Sequence, residues 1–290
     1  MTVALTAYLS SVHASTLLSS RILGNTPVSH IEEAYNSWLD LSRAEPPSNP
    51  ALQHHWSKPI ADRVWDSLLS EANPTSTARL LGCRAPGAGD WLNALPSGTL
   101  GLRLSDEQFT TAIALRLGAP VCSAHVCVCG AEVERSAQHA LVCNKLKSRH
   151  ARHRLGNDVI LRALKSAETP ATLEPLGLSR SDGKRPDGAS LLAWTKGKPL
   201  VWDFTCVHRQ AASYKTIASR DGATVANAAE AKKEMKYRDL TPQCHFQPVA
   251  VETLGGLGPK TLDFLRELGG HIYSVSGDKR ATLICAKDWL

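Results

Sequence analysis

The chain has no apolar run of the roughly 18 residues that a membrane helix requires, so the sequence predicts no membrane spans. Its first 20 residues lack the basic segment of a secretory signal and are rich in Ser and Thr, which favours a helix. Internal repeats, low-complexity tracts and the adjacent acidic pairs of polymerases are also missing. With 43% hydrophobic and 21% charged residues, the 290 residues predict one large or two modest globular domains.

Cysteines are too sparse for a secreted disulfide scaffold, since only eight occur, yet four of them fall within 22 residues. Such clustering predicts a metal site in a reducing compartment. Cys127, Cys129, His139 and Cys143 form a C-x-C-x9-H-x3-C pattern, which is a sufficient ligand set for tetrahedral zinc. The single residue between the first two cysteines is unusual, so Cys122 is an alternative to Cys127. The competing interpretation is a group of buried free cysteines beside a surface histidine.

Positive charge is concentrated in one segment. The net charge is +6, and residues 144–165 alone hold seven Lys or Arg and one Asp. This concentration predicts a phosphate-binding surface, with a solvated helix face as the alternative. The predicted nucleic-acid contacts are Lys145, Lys147, Arg149, Arg152, Arg154 and Arg185.

The first region of the chain, residues 1–120, is predicted to be helical. Ser105 and Gln108 have the spacing of a capping box, and Gly118 is a typical helix end. Breakers such as RAEPPSNPA and RAPGAGD separate the helices. No catalytic constellation is found in this region.

Two further regions follow, with boundaries at 121–144 for the cysteine and histidine cluster and 145–290 for an α/β region. The predicted order from 145 onward is α-β-β-β-α-β, then α, with an Ala-rich helix at about 218–239. Three successive strands argue for a mixed sheet that contains a hairpin. The segment HIYSVS, residues 271–276, is predicted as a last strand.

Two aspartates lie at matching ends of the predicted hairpin. Asp187 follows a proline and Asp203 ends an apolar run. They are either surface charges at strand ends or ligands for Mg²⁺, which in nucleases activates water and neutralises developing charge. Side chains alternate along strands, so the two share a face only if the turn around Gly197 has an odd number of residues or the hairpin contains a bulge.

Cations to assist such a site are predicted on the next helix. Lys233, Lys236 and Tyr237 are spaced i, i+3 and i+4, so they share one face that would stabilise a phosphorane-like charge. A solvated Lys-rich face is the alternative. Further candidate carboxylates are Glu174, Glu230 and Glu252.

Together these segments resemble the C-terminal region of early-branching non-LTR retrotransposon polyproteins, which contains a helical linker, a CCHC zinc knuckle and a restriction-like endonuclease. The resemblance covers most of the chain and is carried by ARLLGC…GAPVC, CVCG…HALVC…RHARH, LEPLGLSRSDGKRPDG, LVWDFTCV, AEAKKEMKY and VAVETLG. It implies an α/β fold with a PD-(D/E)xK restriction-endonuclease-like core, preceded by the helical linker and the small knuckle.

The resemblance also implies an activity, a Mg-dependent DNA endonuclease that cuts target DNA to prime reverse transcription. Asp187 and Asp203 would bind the catalytic magnesium, Lys233 and Lys236 would be displaced catalytic lysines, and Tyr237 would accompany them. Zinc would be structural. The implied partners are DNA and the element RNA, in the nucleus, with no membrane and with the reverse transcriptase absent from this chain. The alternative is an inactive nucleic-acid-binding remnant of such an element.

Overall fold

The structure is a computed structural model that describes residues 2–14, 28–93, 103–178, 185–211, 213–214, 224–240 and 242–278. The chain divides into two compact units, Met1–Asn73 and Pro74–Leu290. The boundary falls inside the predicted helical region 1–120. Among the described residues, no helix has the length and apolar character needed to span a membrane.

The described residues of the first unit form three helices, α1 (Thr2–Ala14), α2 (Val28–Ser42) and α3 (Gln53–Glu71). Its core is built around two fully buried tryptophans, Trp38 and Trp56, whose rings meet edge-to-face with centroids 4.9 Å apart. The indole nitrogen of Trp38 donates to the carbonyl of Trp56 at 2.8 Å, so this buried polar atom is satisfied.

The second unit begins with α4 (Pro74–Arg84), a 3₁₀ turn (Asp90–Asn93) and α5 (Asp106–Leu117). The predicted capping box before α5 is confirmed. The hydroxyl of Ser105 accepts from the amide of Gln108, whose side chain accepts in turn from the amide of Ser105.

Residues 121–144 fold as a small hairpin and one helical turn. Strands β1 (His125–Val126) and β2 (Glu132–Val133) pair antiparallel, and α6 (Gln138–Val142) follows them. The turn between the strands uses Gly130, whose φ of 89° is in the left-handed region that glycine adopts without strain.

The predicted α-β-β-β-α-β order is confirmed, and the unit is a mixed α/β fold. Its four-stranded sheet has the order β3-β4-β5-β6, in which β5 and β6 are parallel and the other pairs antiparallel. The elements are α7 (Ser148–Ser166), β3 (Ala171–Leu173), β4 (Gly188–Thr195), β5 (Lys198–Val207), α8 (Thr224–Tyr237), a 3₁₀ turn (Arg238–Leu240), β6 (His245–Glu252) and α9 (Pro259–Ser276). Of the predicted helix at 218–239, residues 218–223 lie outside the described residues.

Helices cover both faces of this sheet, as the alternation of strand side chains requires. Trp202 and Phe204 belong to the main apolar core, which they share with residues of α7 and α9. Ala250 of β6 belongs instead to a second cluster with Val225 and Ala226 of α8. Asp203, between Trp202 and Phe204, therefore faces α8.

The predicted last strand at HIYSVS is wrong, because these residues continue α9. The helix passes through the two glycines at 269–270 and ends at Gly277, which has a φ of 69°. Tertiary contacts hold the segment helical. His271 stacks on Trp194 with ring centroids 4.3 Å apart, and Ile272 packs against the main core. These contacts outweigh the weak local preference of β-branched residues for strands.

Gly188 is a packing requirement of the hairpin, and we expect Gly188→Ala to destabilise the protein. A Cβ at this position would lie 2.0 Å from the ring of Trp202, which is fully buried and cannot move aside. Overpacking of this kind costs about 1–3 kcal/mol, measurable as a lower midpoint of urea unfolding. Gly270→Ala is the matched control, because a Cβ there meets nothing within 4 Å. An unchanged midpoint for Gly188→Ala would contradict this packing.

Candidate functional site

The cysteine and histidine cluster converges on one point. The ligand atoms of Cys127, Cys129, His139 and Cys143 all lie within 4.8 Å of one another. The sulfur of Cys129 lies 3.2 Å from Nε2 of His139, and the sulfurs of Cys127 and Cys143 are 3.8 Å apart. Four soft or imidazole ligands at this spacing can hold a metal ion such as zinc.

Local backbone geometry shapes this cluster. The amide of Gly130 donates to the carbonyl of Cys127 at 2.8 Å, which closes the turn that carries Cys129. Burial would raise the pKa of the Cys143 thiol, but the backbone amides of residues 145 and 146 and the neighbouring thiols lower it to about 7. A thiol with a lowered pKa is more readily a thiolate, the form that binds metal.

Cys122 does not belong to this four-residue ligand set. Its sulfur lies instead 3.6 Å from the carbonyl oxygen of Glu134. Of the two alternatives left open by the sequence, the geometry therefore selects Cys127.

The hairpin that carries the two aspartates is irregular. Thr195 pairs with Lys198 across a two-residue turn. An unbroken ladder from that pair would place Asp203 on the opposite sheet face from Asp187. The ladder instead contains two register irregularities between the turn and the start of β4.

These irregularities meet the bulge condition predicted from the sequence. At the start of β4, Trp202 pairs with Gly188 rather than with Leu191, a shift of three residues. An odd shift exchanges the faces of the sheet, so this register, extended one residue before β4, places Asp187 opposite Asp203. The bulges thus bring both aspartates to one end of the hairpin.

Asp187 is held by α7 and by the backbone of β5. Its Oδ2 accepts from the amide of Phe204 at 2.7 Å and lies 3.1 Å from Nε2 of His153. Burial alone would raise the pKa of Asp187, but His153, the Phe204 amide and the charge of Lys233 hold it below its usual value. Conversely, the hydrogen bond with Asp187 raises the pKa of His153, which burial opposes.

His153 is itself positioned by a buried chain of polar groups. Asn157 accepts from the indole nitrogen of Trp202 at 2.9 Å, and its amide nitrogen lies 3.3 Å from Nδ1 of His153. The sequence analysis missed this residue among the basic side chains of the helix. The available signal was the i, i+4 spacing of His153 and Asn157, which places both on one face of α7.

Asp203 is buried, and its negative charge is neutralised by two lysines of α8. Lys233 donates to its Oδ1, and the ammonium nitrogen of Lys236 lies 3.3 Å from its Oδ2. The hydroxyl of Tyr237 lies 2.5 Å from Lys236 and donates to the carbonyl of Arg185 at 2.9 Å. Of the three predicted side chains of α8, the two lysines contact this carboxylate and Tyr237 contacts Lys236. The charge of Lys233 also lowers the pKa of Asp187.

A cavity of about 530 Å³ opens beside Asp187. Its lining combines the carboxylates of Asp187 and Glu174 with His153, and Glu174 forms an exposed ion pair with Arg185. The cavity gives a ligand access to the Asp187 side of the site.

The other two candidate carboxylates are occupied by structural bonds. Glu230 accepts from the amides of Lys260 and Thr261 at the start of α9, and burial raises the pKa of this carboxyl. Glu252 forms a buried ion pair with Arg209, whose Nε lies 2.6 Å from its Oε2. Both groups are therefore unsuited to hold a metal with the aspartates.

The predicted nucleic-acid contacts occupy different environments. Along the start of α7 and the segment before it, Lys145, Lys147, Arg149 and Arg154 are exposed. Arg152 is half-buried and donates to the carbonyl of Leu141 at 2.7 Å. The exposed group forms a basic surface around the N-terminal half of α7.

A scan of the chain against protein-family models found no match, and a search of the curated proteins also found none.

Proposed function

We propose that the protein is a Mg-dependent DNA endonuclease with a PD-(D/E)xK-type core and a structural zinc knuckle, as in the non-LTR retrotransposon region that the sequence resembles. The observation that carries the proposal is the surroundings of Asp203. This buried carboxylate lies beside Asp187 in a bulged hairpin and receives two lysines from the following helix. Target DNA, the element RNA and a nuclear location are parts of the same proposal.

The donor set fits magnesium. Asp187 and Asp203 would hold the ion, which prefers a few carboxylates and several waters, and the polar cavity beside Asp187 has room for those waters. When bound, Mg²⁺ supplies Lewis-acid activation of a water and neutralises charge on the phosphate.

The remaining groups act on the substrate and on the ligands. Lys233 and Lys236 stabilise negative charge that develops on the scissile phosphate. Tyr237 orients Lys236. His153 contacts Oδ2 of Asp187, and this bond also sets the direction of the other carboxylate oxygen. The exposed cations around the N-terminal half of α7, Lys145, Lys147, Arg149 and Arg154, bind the DNA backbone without reading its sequence.

A second candidate function is nucleic-acid binding without cleavage. It is favoured by the partners of the two aspartates, because each carboxylate already contacts a side chain from a different helix, Asp187 with His153 and Asp203 with Lys233 and Lys236. A carboxylate satisfied in this way is stable without a metal.

Plasmid nicking separates the two functions. We expect the purified, zinc-containing protein to convert supercoiled plasmid to relaxed circles in Mg²⁺ and not in Ca²⁺. Ca²⁺ is a better control than a chelator, since a chelator would also remove zinc. Intact plasmid in Mg²⁺, together with retained DNA binding, would favour the binding function and reject cleavage.

A further inference from the structure

A second cavity, of about 500 Å³, lies between α6, α7 and the end of β5. Arg149, Arg152 and His208 line it, together with hydroxyl groups of Thr205 and Ser213. None of the described residues that line it is acidic. The lining therefore offers cations and hydrogen-bond donors with no carboxylate to oppose an anion.

Two buried nitrogens of this lining have no hydrogen-bond partner among the described residues, Nε of Arg152 and Nε2 of His208. They are two of the four side-chain atoms in that condition. Buried polar atoms in folded proteins are nearly always paired, so two unpaired atoms beside one cavity require an explanation. Both residues line the cavity, so an anion bound there would lie beside them.

Both residues are held in place by their remaining bonds. The other ring nitrogen of His208 lies 2.6 Å from the hydroxyl of Thr253, and Arg152 donates through Nη2 to the carbonyl of Leu141. Burial, and after it the charge of Arg152, lower the pKa of His208 to about 4, with Glu134 opposing them. His208 is therefore neutral near pH 7 and able to donate one hydrogen bond.

We propose that this cavity, between Arg149, Arg152 and His208, is a binding pocket for one phosphate group, presented by the backbone of a nucleic acid. The assignment to nucleic acid rests on the proposed function, whereas the anion pocket itself does not. Along β5 the pocket is at most about 17 Å from Asp203, at about 3.3 Å per residue. The pocket and Asp203 are therefore separated by no more than the rise of about five base pairs of B-DNA.

His208→Leu gives the sharpest test, because it removes the donor, changes no charge near pH 7 and lies beneath the surface. We expect it to weaken binding of a labelled duplex about tenfold or more, the loss typical of a hydrogen bond to a charged group. Binding is measured by fluorescence anisotropy in Ca²⁺, where cleavage does not occur. Circular dichroism establishes that the variant is folded.

A matched pair of arginine variants covers the case in which His208→Leu fails to fold. Arg152→Gln and Arg162→Gln remove the same charge from the same helix, but Arg162 is exposed and does not line the pocket. We expect a large loss of duplex binding for the first and little change for the second. Equal effects of the two arginine variants, with duplex binding by a folded His208→Leu unchanged, would reject a backbone phosphate in the pocket.

A test with inorganic phosphate shows whether the pocket binds free phosphate or the phosphate of a nucleic-acid backbone. We expect millimolar phosphate to raise the melting temperature of the wild type and of Arg162→Gln, and not that of Arg152→Gln or His208→Leu. The same thermal result with unchanged duplex binding would assign the pocket to free phosphate. No thermal response in the wild type and no effect on duplex binding would overturn the pocket. Loss of binding in a protein that does not nick plasmid would reject the nuclease and retain the pocket.

Discussion

Asp203→Asn and Asp187→Asn should each reduce plasmid nicking by on the order of 10²–10³-fold or more, because each removes a negative charge that the metal requires. The amide keeps the size of the side chain, so loss of activity is separated from loss of packing. For Asp203 the change also leaves Lys233 and Lys236 without their shared carboxylate. Initial rates of plasmid relaxation at saturating Mg²⁺ measure the effect.

The matched control for these variants is Asp263→Asn. Asp263 is on the surface of α9, 74% exposed, and its partner Arg266 is also exposed. An exposed ion pair of this kind contributes little to stability, so nicking should be unchanged. If Asp203→Asn retains wild-type nicking while Asp263→Asn behaves the same way, the assigned metal site is wrong. A parallel loss of duplex binding in Ca²⁺ would indicate that the aspartates support binding rather than cleavage.

Features specified by neighbouring residues were predictable from the sequence. The capping box at Ser105 and the order of strands and helices from 145 onward depend on local spacing. The CCHC set is equally local, since its members lie within one short segment. For these features the chain offers few competing arrangements, and pattern alone is sufficient.

The sequence could predict only a condition for the two aspartates to share a face of the sheet, namely an odd turn or a bulge. Turn composition does not fix the register of a hairpin that contains bulges, and one residue of slip exchanges the faces. The structural partners of Glu230 and Glu252 could not be predicted from the sequence either. Each is decided by a partner brought close by the fold, the start of α9 for Glu230 and Arg209 for Glu252.

The role of His153 was also missed in the sequence, because it depends on contacts that only the fold creates. In the sequence it is one of several basic residues on a charged helix. In the fold it lies on the inner side of α7, where Asn157 and Trp202 position it against Asp187. The spacing with Asn157 indicates only the helix face, whereas the contact with Asp187, 34 positions away, has no local signature.

Cys143→Ser should abolish zinc binding and unfold the segment 121–144, a larger effect on stability than that of Asp187→Ala. Structural zinc contributes on the order of 10 kcal/mol to the folding of small zinc domains, because the ligands are not assembled without it. The hairpin here has two strands of two residues each, too few to be stable alone. Asp187→Ala removes one partly buried carboxylate and leaves the knuckle intact.

Cys122→Ser provides the matched control, because Cys122 lies close to the cluster without belonging to its ligand set. We expect one zinc per chain in the wild type and in Cys122→Ser by elemental analysis, and none in Cys143→Ser. In thermal unfolding, Cys143→Ser should melt well below Asp187→Ala. Equal melting temperatures for Cys143→Ser and Asp187→Ala, or a wild type purified without zinc, would contradict a structural knuckle. Zinc lost from Cys122→Ser as well would place Cys122 among the ligands and exclude the set of Cys127, Cys129, His139 and Cys143.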